Sequence, residues 1–282
     1  MTHKSHRFIP TIAGHALAAL CLLCLTASIA LPQQRDVAGS GIDRYGGNLS
    51  VNSQATGFFR VEQVGGRWWL VTPDGNGFLS AGVNHVDYRE DYSDSFVDFV
   101  TEKLRAWGFN TIGWSQEVTG RHPETNRMVH SRGWGPSQYA RAKMPYVHLI
   151  RFTDMEWYVE EELPDVFSED FADKCDRLAK EVCPQLRDDP YLIGYFYSDT
   201  PNWPLWAENV GEEKLRAVAQ QYYQIIHDAI RRYDKHHLLL GDRYKGDRVI
   251  PIDGKKVNGM PDAVLEAMES TVDVLSVEYL SL

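Results

Sequence analysis

The chain has little with which to cross-link itself. It carries four cysteines in 282 residues, and two of them, Cys21 and Cys24, lie inside an apolar N-terminal stretch. The other two, Cys175 and Cys183, fall on one predicted helix, eight residues apart. That spacing separates them by about 12 Å at the helical rise, whereas a disulfide needs Cα atoms within about 7 Å. A disulfide scaffold is excluded, and both thiols are expected to be free and buried. Positive charge is also scarce: 29 Lys and Arg against 39 Asp and Glu give a formal net charge of −10. A nucleic-acid partner, which needs a basic face, is therefore not expected. No Gly-rich phosphate loop follows any predicted strand, and there is no Gly-x-Ser-x-Gly elbow. His122, His130, His148, His236 and His237 fall at no ligand spacing with Cys or carboxylates, so neither a metal nor another cofactor is expected.

What the sequence does contain begins with the grammar of export. Lys4 and Arg7 precede an apolar stretch over about residues 12–31, with Ala27, Ser28 and Ala30 as small residues for cleavage. Residues 1–30 are expected to be a signal peptide, making the protein secreted or periplasmic and free of the membrane after cleavage. Left uncleaved, the same stretch approaches the ~20 residues of a spanning helix and would anchor the chain. Residues 31–56, rich in Gly, Ser, Asn and Gln, read as a linker or loosely held lead-in.

From residue 57 the pattern becomes regular. Gly65-Gly66 predicts the turn of an N-terminal β-hairpin, and Phe78 to Val83 reads as the start of a new strand. Strands are then predicted over 109–114, 145–152, 192–198, 238–242 and 274–279. Helices fall over 93–107, 168–186, 212–233 and 261–271, with Ser168 as a cap and a long loop to about residue 143. Alternation at this spacing means an α/β protein with a parallel sheet. Polar and aromatic residues cluster just after several strands, as in barrels with their site at the C-terminal face. The fold expected over 57–282 is a (β/α)8 TIM-type barrel, incomplete at about six β/α units and preceded by the hairpin. The chain stops at Leu282, within a residue or two of the sixth strand, so a fragment or truncated product is expected.

The strand ends carry Asn84-His85, Trp114 through Glu117, Ser198-Asp199, Asp242-Arg243-Tyr244 and Glu278-Tyr279. In a barrel these converge on one mouth. Carboxylates there act as general acid, base or nucleophile; His, Asn and Arg hold hydroxyls; tryptophans stack on sugar rings. The catalytic candidates are Asp199 and Glu278. The substrate-binding candidates are Asn84, His85, Trp114, Trp203, Trp206, Asp242, Arg243 and Tyr279.

The stretch "GFFRVEQVGGRWWLVTPDGNGFLSAGVNHV" resembles the lead into the barrel of β-agarase-like glycoside hydrolases, as does the order "DDPYLIGYFYSD", "LLLGDRY" and "VDVLSVEYL". The resemblance covers about residues 57–280. It implies a retaining (β/α)8 hydrolase of galactose-containing algal polysaccharides, with an acid/base glutamate after strand four and a nucleophilic glutamate after strand seven. Such enzymes continue the "GYF" strand into Asp-Asn-Glu, where this chain has Ser198, Asp199 and Thr200. Thr200 thus stands where the acid/base glutamate is expected, Asp199 stands one residue before it, and the strand-seven nucleophile has no counterpart. The function expected is an exported glycoside hydrolase of a polysaccharide, with an agar-type galactan as the candidate substrate. The alternatives are a non-catalytic carbohydrate-binding protein on a degenerate or truncated barrel, or a truncated product without function. In either of the first two cases the partner is a polysaccharide or oligosaccharide.

Overall fold

The computed structural model describes residues 41–87, 91–124, 128–153, 164–199, 201, 203–245, 250–252, 255–257 and 260–279. The expected signal peptide lies outside them, as does Thr200.

The first layer is an antiparallel sheet of β1 (Asn48–Asn52), β2 (Arg60–Val64), β3 (Arg67–Val71) and β4 (Asn76–Phe78), in the order β1-β4-β3-β2. Gly65 and Gly66, at φ 60° and 79°, form the two-residue turn that sets Val64 opposite Arg67. Residues 41–56, expected to be loosely held, are instead integral here. Asp43 accepts from the backbone N–H groups of Tyr45 and Gly47 and from the side chains of Thr72 and Asn76 at 2.6–2.9 Å. Tyr45 is buried against Phe59, at 5.8 Å between ring centroids. One carboxylate and one aromatic ring anchor a stretch whose polar composition hides them. Phe78 to Val83 also differs from expectation. Phe78 ends β4, Leu79 is 80% exposed, and β5 (Gly82–Val83) opens a different sheet.

From β5 the chain runs through α1 (Asp94–Ala106), β6 (Thr111–Ile112), the hairpin β7 (Val118–Arg121) and β8 (Met128–His130), α2 (Pro136–Ala142) and β9 (Tyr146–Leu149). It continues through α3 (Glu169–Leu186), β10 (Leu192–Asp199), α4 (Trp203–Val210), α5 (Glu212–Tyr233) and β11 (Leu238–Lys245). The hairpin β12 (Ile250–Ile252) and β13 (Lys255–Val257), α6 (Asp262–Met268) and β14 (Ser276–Tyr279) follow, and both hairpins stand apart from the second sheet. Its six strands run parallel in the order β5-β6-β9-β10-β11-β14. Each new strand is added on the same side and the order never reverses, whereas a doubly wound sheet has a switch point. The result is a curled, half-barrel parallel sheet. No helix among the described residues is long and apolar enough to cross a membrane.

The helices form where pattern and caps agree. Ser93 and Ser168 accept from the backbone N–H groups of Phe96 and Phe171, capping α1 and α3. On α5 the buried residues Leu215, Val218, Ala219, Tyr222, Tyr223, Ile226, Ala229 and Ile230 make one stripe. Each large apolar side chain buried there contributes about 1.5–3 kcal/mol. The stripe packs with Cys175, Ala179 and Cys183 of α3 against the outer face of the sheet at Leu192, Tyr195, Tyr197 and Leu239. The inner face is covered differently. Val147, Ile193, Leu238 and Leu240, near the starts of β9, β10 and β11, pack with Tyr45, Phe59 and Phe78 of the first layer. The antiparallel sheet thus plugs the N-terminal end of the strands, and the C-terminal ends carry the polar residues.

One irregularity in β11 sets which of its side chains face inward. Leu239 pairs with Tyr195, but the next partner, Phe196, faces Gly241, so β11 holds one extra residue. Gly241 takes φ +64°, a left-handed conformation that glycine adopts without penalty. The bulge reverses the alternation of the strand. Leu238 and Leu240 face inward, and Asp242 turns outward toward α5.

Candidate active site

At the C-terminal strand ends, Asp199 and Arg243 are register partners on β10 and β11. Arg243 Nε donates to Asp199 Oδ1 at 2.7 Å, and its Nη2 stands 2.5 Å from the same oxygen. Both side chains keep just under a fifth of their surface exposed, so the pair is shielded yet reachable. The guanidinium lies over the Trp114 ring, 4.4 Å from its centroid. Trp114 meets Phe196 edge-on at 5.4 Å and His85 edge-on at 5.6 Å. The ends of four parallel strands therefore meet in one constellation: His85, Trp114, Phe196, Asp199 and Arg243.

His85 holds φ 60°, uncommon for a residue with a Cβ and costing about 1–3 kcal/mol. Two contacts hold it there. Its backbone N–H donates to the Trp114 carbonyl at 3.0 Å, and Nδ1 stands 2.7 Å from the Gln116 carbonyl. Asn84 lies over Gly113, where an added Cβ would fall 1.6 Å from Oδ1. Gly113 is thus the residue that lets Asn84 settle beside β6.

Three of the expected binding residues sit elsewhere. Asp242 has no exposed surface. Its Oδ1 accepts from Tyr222 at 3.0 Å, and its Oδ2 accepts from Tyr223 at 2.6 Å and from Trp203 Nε1 at 3.2 Å. Burial pushes this carboxyl up to about 6 despite the three donors. Trp203 is fully enclosed, packed on Tyr223, Tyr222 and Trp206, and Trp206 is 3% exposed. The segment carrying both tryptophans is helix α4. These residues form a layer behind the constellation. β14 brings Glu278 and Tyr279 into the sheet next to β11, but their side chains lie outside the described residues.

Two residues of this rim were missed in the sequence. Phe196 reads as part of a buried strand, and only the partnership with Trp114 places it at the site. Arg151 follows β9 at φ 57°, between two backbone hydrogen bonds that extend the β9–β10 pairing at Ile150 and Phe152. Its signal was its place after the third strand. Among the described residues no group of three or more His, Cys, Asp or Glu could hold a metal ion.

Comparison with known proteins bears on the fold. No protein-family model matches the sequence. Beta-agarase B of Vibrio sp. (strain JT0107) is 38% identical over 53 residues, 19% of this chain and 6% of that protein. The crystal structure of an agarase, AgWH50C, is similar with a TM-score of 0.60 at 18% identity, covering 86% of this chain and 48% of its own. An exo-beta-agarase structure gives 0.60 at 15% identity, covering 86% and 53%, and BpGH50 gives 0.60 at 16%, covering 86% and 62%. The chain spans about half the length of the first two structures. At these identities the likeness establishes a shared fold.

Proposed function

We propose that the parallel sheet is part of a (β/α)8 TIM-type barrel in an exported glycoside hydrolase acting on a polysaccharide, an agar-type galactan being the first choice. The observation that carries this reading is the Asp199–Arg243 pair over Trp114, at the C-terminal strand ends of a fold shared with agarases. Asp199 and Glu278 are the carboxyl groups assigned to catalysis. Arg243 Nε and Nη2 both meet Asp199 at Oδ1, so proton transfer by Asp199 would pass through Oδ2. Asn84, His85, Arg243 and Tyr279 are assigned to the sugar hydroxyls, with Trp114 as the floor beneath Arg243. Trp203, Trp206 and Asp242 are assigned to support rather than to direct contact, because they are enclosed. The hydrolase region is assigned to residues 57–282, with β1 and Tyr45 contributed by the segment before it, and export to residues 1–30.

The test is hydrolysis of size-defined agaro-oligosaccharides, followed by mass spectrometry, for the unaltered chain and for Asp199→Asn. Shorter products from the unaltered chain are expected, with a rate loss of about 100-fold or more in the variant. Equal rates in the two proteins would remove Asp199 from catalysis. Tight binding with no product after long incubation would overturn the hydrolase reading itself.

A further inference from the structure

The short connection from β10 to α4 is held at both ends by two consecutive residues of β11. Asp199, at its start, is held by Arg243 on the inner side of the strand. Trp203, at its end, donates its indole N–H to Asp242 on the outer side. Trp203 lies four positions after Asp199, a reach of at most about 14 Å when fully extended. Fixing Trp203 therefore restricts where Asp199 is able to sit.

The outer anchor is itself buried and fully bonded. Asp242 has no exposed surface and receives hydroxyl donors from Tyr222 and Tyr223, adjacent residues on the long helix α5. The Trp203 ring lies nearly parallel to that of Tyr223, at 6.0 Å and 27° between planes, and edge-on to Tyr222 at 5.4 Å. A buried carboxylate is unfavourable unless every oxygen is bonded, and here it is bonded by groups from two helices. Packing alone would be met by an apolar residue at 242. What the carboxylate adds is a directional acceptor for one indole N–H, on the residue that ends the connection from Asp199.

We propose that Asp242 and Trp203 are positioning residues: by fixing the end of the connection outside the sheet, they hold Asp199 where Arg243 grips it above Trp114. Their connection to chemistry rests on the proposed hydrolase function; their control of the Asp199–Arg243 pair does not.

The experiment tracks the Arg243 Nε–H signal by 15N NMR on the full chain, assigned by its loss in Arg243→Lys, together with calorimetric binding of agaro-oligosaccharides. Trp203→Phe keeps an aromatic ring and removes the N–H. Asp242→Ala removes the acceptor. Asp242→Asn keeps an oxygen for Trp203 and Tyr223 and presents its amide to the Tyr222 hydroxyl. Trp203→Phe is expected to melt cooperatively while its Arg243 Nε–H exchanges roughly tenfold faster and sugar binding weakens roughly tenfold, as for one lost hydrogen bond to a charged group. Asp242→Ala, if folded, behaves alike, and Asp242→Asn restores the slow signal. An unchanged Arg243 signal in folded Trp203→Phe overturns the proposal. If the unaltered chain binds no agaro-oligosaccharide, the hydrolase reading fails, and the Arg243 signal still decides this one.

Discussion

The Tyr195 hydroxyl donates to Asp234 Oδ2 at 2.7 Å, tying the middle of β10 to the residue that ends α5. His237 Nδ1 stands 2.7 Å from the same oxygen, and the backbone N–H groups of His236 and His237 donate to Oδ1 at 2.9 and 3.2 Å. Burial pushes this carboxyl up; His237, the His236 backbone and Tyr195 more than offset it and bring it down to about 2. Because the folded value lies below the ordinary 3.8, the carboxylate's contribution to stability is complete above about pH 4 and is lost as pH falls toward 2. Asp234→Ala is expected to destabilise the fold by about 3–5 kcal/mol at pH 7, and by less at pH 3. Urea melts at the two pH values measure both numbers, and a loss independent of pH would count against the carboxylate as the cause.

Asp242 has the opposite sign. Its folded value of about 6 lies above the ordinary 3.8, so the folded state holds the proton more tightly than the unfolded one. The corresponding stability is present below about pH 4 and is lost as pH rises through 6. Asp242→Asn does not titrate. Its stability relative to the unaltered chain should therefore rise between pH 4 and pH 7, by on the order of 3 kcal/mol. Paired melts across that range check the slope, and a flat difference would show that the carboxyl is not perturbed.

Two glycines separate fold from site. At Gly194 an added Cβ would meet the Leu238 carbonyl oxygen at 2.2 Å, across the β10–β11 pairing, and backbone has nowhere to yield. Gly194→Ala is expected to cost about 3 kcal/mol or more, or to prevent folding. At Gly113 the nearest obstructing atoms belong to the Asn84 side chain. Gly113→Ala should leave the thermal midpoint nearly unchanged while weakening oligosaccharide binding, measured side by side in one preparation.

Cys175 and Cys183 are buried, and burial pushes both thiols up to about 12. Neither is expected to react with iodoacetamide in the folded protein at pH 8, and both should react at once in guanidinium. Mass spectrometry of the two samples counts the adducts. Labelling under native conditions would reveal local opening of α3.

The sequence made the repeating elements legible because their signals are local. The stripe from Leu215 to Ile230 and the cap at Ser168 need no distant partner to be recognised, and α5 spans the expected 212–233. What it hid is non-local. Tyr45 and Asp43 look like loop residues until Phe59, Thr72 and Asn76 arrive from elsewhere in the chain. The hairpin of β7 and β8 and helix α2 lay within an expected long loop, in a stretch rich in Gly, His and Arg. At the site, Asp199, Arg243, His85 and Trp114 were readable as residues at strand ends. The enclosure of Asp242 and Trp203 was not, because it depends on which way one strand faces after residue 240.

That facing rests on a count. With one residue fewer between Leu239 and Asp242, the alternation of β11 would send the carboxylate of Asp242 inward among the site residues and swing Arg243 outward, toward Tyr222 and Tyr223. Composition would be almost unchanged and the strand would still read as a strand. Insertions and deletions at 240–241 should therefore be far less tolerated than substitutions nearby, because strand length there decides which charge the protein shows and which it hides.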